Sequence, residues 1–134
     1  MLASQARLLE DRLLSLVTRV QEIRGLMLID SNGLPLVSTL GSRSLEESLA
    51  AFGAAATGQM ARAREDLEMG PLYMLHLAGR DRQVFLTPLT SKVVLLAIVD
   101  AGAAASTVEL HLLGMCCDIL GLLHTAAGAE DEGG

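Results

Sequence analysis

The sequence predicts an α/β chain of the α+β kind: a five-stranded antiparallel sheet with helices packed on it, in the order α-β-β-α-β-β-β-α. Three observations carry this. Two segments, 4–23 and 44–68, repeat apolar residues at helical spacing, and a third greasy segment, 106–125, opens with a helix-start pattern. Five short apolar runs are separated by Asn-Gly, Gly-Arg-Asp-Arg and Thr-Ser-Lys breaks, too short for anything but hairpin-type returns. Helices must then cover the faces of the sheet those hairpins build.

The first helix is expected over 4–23, where Leu9, Leu13, Leu16, Val17, Val20 and Ile23 share one face and Gly25 follows as a stop. A strand over 26–30 leads to Ser31-Asn32-Gly33. Asn-Gly between apolar runs is a strong hairpin signal. The return strand covers 34–39, and Pro35 places it at a sheet edge or at the strand's start. Ser44 with Glu47 three residues on has capping-box spacing, so the second helix is expected to begin at Ser44 and to end before Gly70-Pro71. Strands over 72–78, 83–88 and 93–99 follow. The last is a continuous apolar run, typical of a central strand. Ser106 and Glu109 repeat the capping-box spacing at the third helix, expected to end near Thr125. The reading is one domain over 1–125, with a disordered acidic tail over 126–134.

A chain of 134 residues with 51% hydrophobic and 19% charged residues has the composition of a single globular core. Aromatics at 2% and a net charge of −6 exclude a base-stacking platform and a phosphate-binding face. They also disfavour attachment to an anionic membrane surface. No signal-peptide pattern opens the chain, and the run 110–123, interrupted by His111 and Asp118, is too short to insert into a membrane. Cys116 and Cys117 are adjacent and read as reduced, small, buried hydrophobes of a cytoplasmic protein, or alternatively as a redox pair.

Catalytic patterns are thin. His76, His111 and His124 form no helical metal pair, and two cysteines are too few for a structural zinc site. Lys92, the only lysine, precedes a strand rather than closing a phosphate loop. The pairs Glu46-Glu47 and Glu65-Asp66 read as helix charges. Arg80 and Arg82 sit on a hairpin tip, where they are either solvated turn residues or a finger reaching a partner's phosphate. The expectation is a protein without catalytic activity, cofactor or metal.

The second helix holds the strongest signal. Residues 48–61 carry no charge. Leu45, Leu49, Phe52, Ala56, Met60, Ala63 and Leu67 fall on one stripe, expected to pack on the sheet. The opposite face presents Ala50, Ala51, Ala54, Thr57, Gly58 and Ala61 instead of charges. Gly53 and Gly58 together cost an exposed helix about 2 kcal/mol relative to alanine, which close helix contact can offset. Glu46 and Glu47 precede the stretch and Arg62 and Arg64 follow it, centred on Ala54–Ala55. Two antiparallel copies would set the acidic end of one beside the basic end of the other, as a two-fold interface requires. The expected dimer surface comprises Glu47, Ala50, Ala51, Ala54, Ala55, Thr57, Gly58, Ala61 and Arg62; the alternative is a helix sandwiched within one domain. The third helix is apolar over two thirds of its circumference, so either it is fully buried within the protomer or Leu112, Met115 and Ile119, with Arg80 and Arg82, are candidates for a partner surface.

The stretch Gly25-Leu-Met-Leu-Ile-Asp-Ser-Asn-Gly-Leu-Pro-Leu-Val-Ser38 resembles the G-x-x-L-x-D-x-x-G-x-x-L-x-S hairpin of the Roadblock family, the dynein light chain-like and MglB-like proteins. The Ala-rich helix and the strands 84–89 and 94–99 fall where that family has them, so the match covers about 6–123. The resemblance implies a profilin-like sandwich and a homodimer through the second helix and third strand, which adds Leu72, Met74 and His76 to the dimer surface. It also implies a module without an active site that binds and regulates a small Ras-like GTPase. A structural scaffold without a GTPase partner is the alternative, and a small-molecule sensor a third class.

Overall fold

A computed structural model describes residues 3–133, with side chains described up to residue 124. The elements are α1 (Ala3–Arg19), β1 (Ile23–Asp30), β2 (Pro35–Ser38), α2 (Arg43–Asp66), β3 (Leu75–Ala78), β4 (Arg82–Pro88), β5 (Val93–Asp100) and α3 (Ala105–Gly133). Their order is the predicted one. The five strands form one antiparallel sheet in the order β2-β1-β5-β4-β3. β5 is central, as its unbroken apolar run predicted, and Pro35 lies on the edge strand β2, where a missing amide donor costs no ladder bond.

Strand alternation divides the core in two. Leu26, Leu28, Phe85, Leu95 and Ala97 face α1 and α3, meeting Leu9, Leu13 and Leu16 from the first and Val108, Leu112 and Ile119 from the second. Met27, Ile29, Leu86, Val94 and Leu96 face the other way and meet Ala50 of α2. The sheet is therefore sandwiched, with α1 and α3 on one face and α2 on the other.

The β1–β2 turn shows why the sequence folds back there. Asp30 Oδ1 accepts the amides of Asn32 and Leu34, both at 2.9 Å, and Gly33 takes a φ of 83°, which favours glycine.

Several predicted boundaries move, each for a local reason. The first helix ends at Arg19 and Ile23 already belongs to β1, so Gly25 is a strand residue rather than a helix stop. Its lack of a side chain makes room for Leu40, which a Cβ would overlap. The cap of α2 is Ser42, not Ser44: Ser42 Oγ accepts the Leu45 amide at 3.4 Å from an extended backbone. Ser106 lies inside α3, which begins at Ala105, so the second capping-box reading also fails. The segment 72–74 precedes β3 rather than belonging to it. The helical backbone of α3 passes the expected end near Thr125; the expected acidic tail, 126–134, lies outside the residues whose side chains are described.

Candidate interaction surface

Seating α2 on the sheet requires small side chains where helix and strand come closest. Gly53 is that point: a Cβ built there would stand 2.6 Å from Ile29 Cδ1 and 3.7 Å from Leu86 Cδ2. Ala50, one turn earlier, is fully buried. The hairpin tip leans on the next strip of the same helix, since a Cβ on Gly33 would lie 3.5 Å from the Ala51 Cα and 3.6 Å from the Ala54 Cβ. Thr57 is half-buried and its hydroxyl donates to the Gly53 carbonyl at 2.7 Å. Much of the small-residue face therefore serves the protomer's own packing.

The side of α2 that meets the sheet draws on both faces the sequence suggested: Leu49, Ala56 and Met60 of the expected stripe pack there together with Ala50 and Gly53. Leu45 and Phe52, expected against the sheet, are 44% and 40% exposed, and Leu67 is exposed too. Leu49, Ala56 and Ala63, on the same flank, are only half-buried. Of the stripe expected in the core, only Met60 is buried. Of the face expected to be free, Ala50 is core, Ala54 and Thr57 are half-buried, and Glu47, Ala51, Ala55, Gly58, Ala61 and Arg62 are exposed.

The sheet continues this apolar flank. α2 packs over β1, β2, β5 and β4. On the same sheet face, β3 presents Leu75, half-buried, and Leu77, 42% exposed, opposite Leu86 and Val84 of β4. β3 is also an edge strand, with one side unpaired. Leu45 and Phe52 on the helix with Leu75 and Leu77 on the strand thus leave one sheet face apolar and incompletely covered.

Beside it, the segment 69–74 and α3 enclose an open groove of about 690 Å³ lined by Met69, Pro71, Leu72, Tyr73, Met74, Glu109 and Leu113. Leu72 and Met74, expected in the dimer surface, line this groove and are half-buried.

His76 was expected in the dimer surface; it is exposed but engaged within the protomer. Its ring stacks on Phe85, centroids 4.3 Å apart and 9° between planes, and its Nε2 lies 2.6 Å from Gln83 Oε1. The Gln83 amide nitrogen donates to the carbonyls of Asp100 at 2.9 Å and Ala103 at 3.0 Å. The Gln83 oxygen is therefore left to accept, and His76 Nε2 carries the proton. Buried Gln83 ties β3 to the loop before α3. Sequence reading passed over it, although a lone polar residue beginning an apolar strand is the signal that could have found it.

The candidate partner residues fall in two groups. Arg80 pairs with Asp81 at 3.1 Å, while Arg82 donates to the Asp81 carbonyl at 2.9 Å and lies 3.8 Å from Asp100. Arg24, hydrogen-bonded to Asp100 at 2.8 Å, holds that carboxyl below its usual range. Both hairpin arginines are thus partly neutralised in place. Leu112, Met115 and Ile119 are corrected outright: all three are buried against the sheet, and the exposed side of α3 carries Leu110, Leu113 and Leu120 instead. By length and composition Ala105–His124 could cross a membrane, yet its inner side packs into this core.

Among the described residues, no group of three or more His, Cys, Asp or Glu side chains could hold a metal. Cys116 is buried as expected, but Cys117 is exposed. Burial, with Cys117 adding to it, pushes the Cys116 thiol up from 9.0 to about 11. In dilute solution a disulfide reagent is therefore expected to modify Cys117 quickly and Cys116 only after unfolding. The folded chain holds the Cys116 proton more tightly than the unfolded one. That contribution to stability is full below pH 9.0 and is lost as pH rises through about 11, which urea unfolding on either side of that window will show.

A family model for the Roadblock/LC7 domain matches residues 9–99. The chain belongs to the Roadblock/LC7 domain family. Among solved structures, MglB of Myxococcus xanthus shares 17% identity over 93% of this chain and 94% of its own, with a TM-score of 0.83. A Roadblock/LC7 domain from Streptomyces avermitilis shares 15% over 86% and 97%, TM-score 0.79. The gliding protein MglB of Thermus thermophilus shares 15% over 91% and 93%, TM-score 0.78. No curated protein matches the chain in sequence. At these identities the structures establish the shared fold, and the Roadblock sandwich expected from the 25–38 hairpin is the fold observed.

Proposed function

We propose that this chain is a non-catalytic, homodimeric Roadblock module that binds and regulates a small Ras-like GTPase. The observation that carries the dimer is the apolar flank of α2 beside the free edge of β3. A second protomer related by a two-fold axis would cover both at once, helix against helix and strand beside strand, and extend the sheet across the axis. The GTPase reading rests on membership of the Roadblock/LC7 domain family.

The hairpin arginines bear on the mode of action. Because Arg80 and Arg82 are already bonded to Asp81 and Asp100, the module acts by ordering the GTPase's own catalytic groups rather than by inserting an arginine. The test uses the Ras-like GTPase of the same cell, loaded with GTP. Hydrolysis or nucleotide release should change when this protein is added, and Arg80→Ala and Arg82→Ala variants should act like the parent chain. Unchanged rates for both steps, with no binding, would refute the GTPase reading. Capture of other cellular proteins in place of a GTPase would then favour the scaffold.

A further inference from the structure

The groove between the segment 69–74 and α3 combines apolar walls with a carboxylate that the protomer leaves unpaired. Met69 is 57% and Tyr73 75% exposed, and Leu113 on α3 is exposed opposite them. Leu72 and Met74 lie half-buried between. Among these side chains stands Glu109, half-buried, with no ion pair or side-chain hydrogen bond among the described residues.

The charge at this end of the molecule has one sign. No lysine or arginine occurs from Asp66 to Gly79 or from Ala105 to His124, so neither wall of the groove supplies a cation. The acids on these stretches are Asp66 and Glu68, shortly before Met69, then Glu109 in the groove and Asp118. Only Asp118 is ion-paired among the described residues, with Arg12 at 3.2 Å. A carboxylate flanked by apolar walls attracts a cation more strongly than one in open water.

Arginine has the chemistry that fits. Its guanidinium stays charged at any physiological pH, meets a carboxylate with two parallel N–H bonds and stacks on an aromatic face, here that of Tyr73 in the same groove. Apolar side chains two residues to either side of it in an extended chain point the same way and can cover Met69, Leu72 and Leu113. At about 690 Å³ the groove is of a size to hold such a segment.

We propose that this groove docks an extended, arginine-bearing segment of a partner protein, with the guanidinium on Glu109 and the flanking apolar side chains against Met69, Leu72 and Leu113. Acidic segments and anionic lipid headgroups meet Glu109 and a net charge of −6, and are repelled. The proposal goes beyond the α2–β3 dimer and the GTPase reading and requires neither.

Isothermal titration of the full chain with the peptide acetyl-Leu-Ser-Arg-Ser-Leu-amide tests it. The parent chain should bind saturably and more weakly as salt is raised. Glutamate in place of the peptide's arginine should abolish binding, and lysine, which lacks the planar fork, should weaken it severalfold. Glu109→Gln is close in shape and helix propensity, so the thermal transition should stay in place. Binding should nevertheless fall about tenfold and lose most of its salt dependence. Glu10→Gln, the same loss of charge on the exposed side of α1, should leave binding unchanged. Phe52→Glu, which tests the other surface, should bind as the parent does. No saturable binding by the parent chain overturns the proposal, as does equal binding by Glu109→Gln or of the glutamate peptide. Peptide binding confined to Phe52→Glu would overturn it by giving the groove to a second copy. Binding of neutral phosphatidylcholine vesicles in the peptide's place would overturn it by giving the groove to lipid.

Discussion

Replacing Phe85 with alanine is expected to lower the unfolding free energy by about 3–5 kcal/mol, the range for removing a buried aromatic side chain. Phe85 is fully buried at the middle of β4, with Ala97 of β5 beside it in the register. Alanine is too small to swell into the vacated space. The chain's only other aromatics, Phe52 and Tyr73, both lie at the surface. Its loss also removes the platform on which His76 stacks at 4.3 Å, loosening β3 from the sheet. Against the ~5–15 kcal/mol typical of a whole domain, this is a large fraction of the stability. Guanidinium titration should show a lower midpoint with an unchanged slope. His76→Ala, which removes only the exposed half of the stack and one hydrogen bond, should cost much less. A Phe85→Ala loss under about 1 kcal/mol would mean that β3, β4 and α3 close over the gap, contrary to tight core packing.

The element order was legible because each element is bounded by residues with a mechanism. Asn32-Gly33 dictates the first hairpin, and the run 93–99 can be buried on both faces only at the centre of a sheet. The stop expected at Gly70-Pro71 comes earlier: α2 ends at Asp66, where Glu68 takes a φ of 53° and the Met69 amide returns to the Arg64 carbonyl. The orientation of α2 was not legible, and the reason is physical. A hydrophobic period identifies an apolar face, but α2 has two, one built of Leu45, Leu49 and Phe52, the other of Ala50, Gly53 and Ala54. Size decides between them only when the distance to the sheet is known. Ile29 comes so close that the helix must present Gly53 there, which turns Leu45 and Phe52 outward while Leu49 and Met60 still reach the core. The same limit applies to α3. Ten apolar residues between 110 and 123 mark it as greasy all round, and only the position of α1, pinned by Arg12 to Asp118, shows which side remains outside. The His76–Gln83–Phe85 arrangement joins residues of two strands with the loop before α3, and no local pattern could announce it.

Phe52→Glu is expected to convert the proposed dimer into a monomer without unfolding it. In the protomer Phe52 is 40% exposed, so a carboxylate there keeps its hydration and the sheet core is untouched. In the proposed dimer the same position is covered. An ionised side chain with no partner costs several kcal/mol to bury, so the dissociation constant should rise roughly a hundredfold or more. The thermal transition of the monomer should stay cooperative. The matched comparison is Gly58→Glu, on the small exposed face that the charge pattern favoured. If the large flank forms the interface, Gly58→Glu should weaken the dimer less than Phe52→Glu; the reverse ranking would return the interface to the small face. Ala50→Glu cannot discriminate, because Ala50 is fully buried and the substitution attacks the fold itself. Ala54→Glu has the same defect, since it drives a charge into the contact with the Gly33 turn. A Phe52→Glu chain that retains the parent's mass would place the dimer axis elsewhere, and a parent chain monomeric at tens of micromolar would remove the dimer altogether.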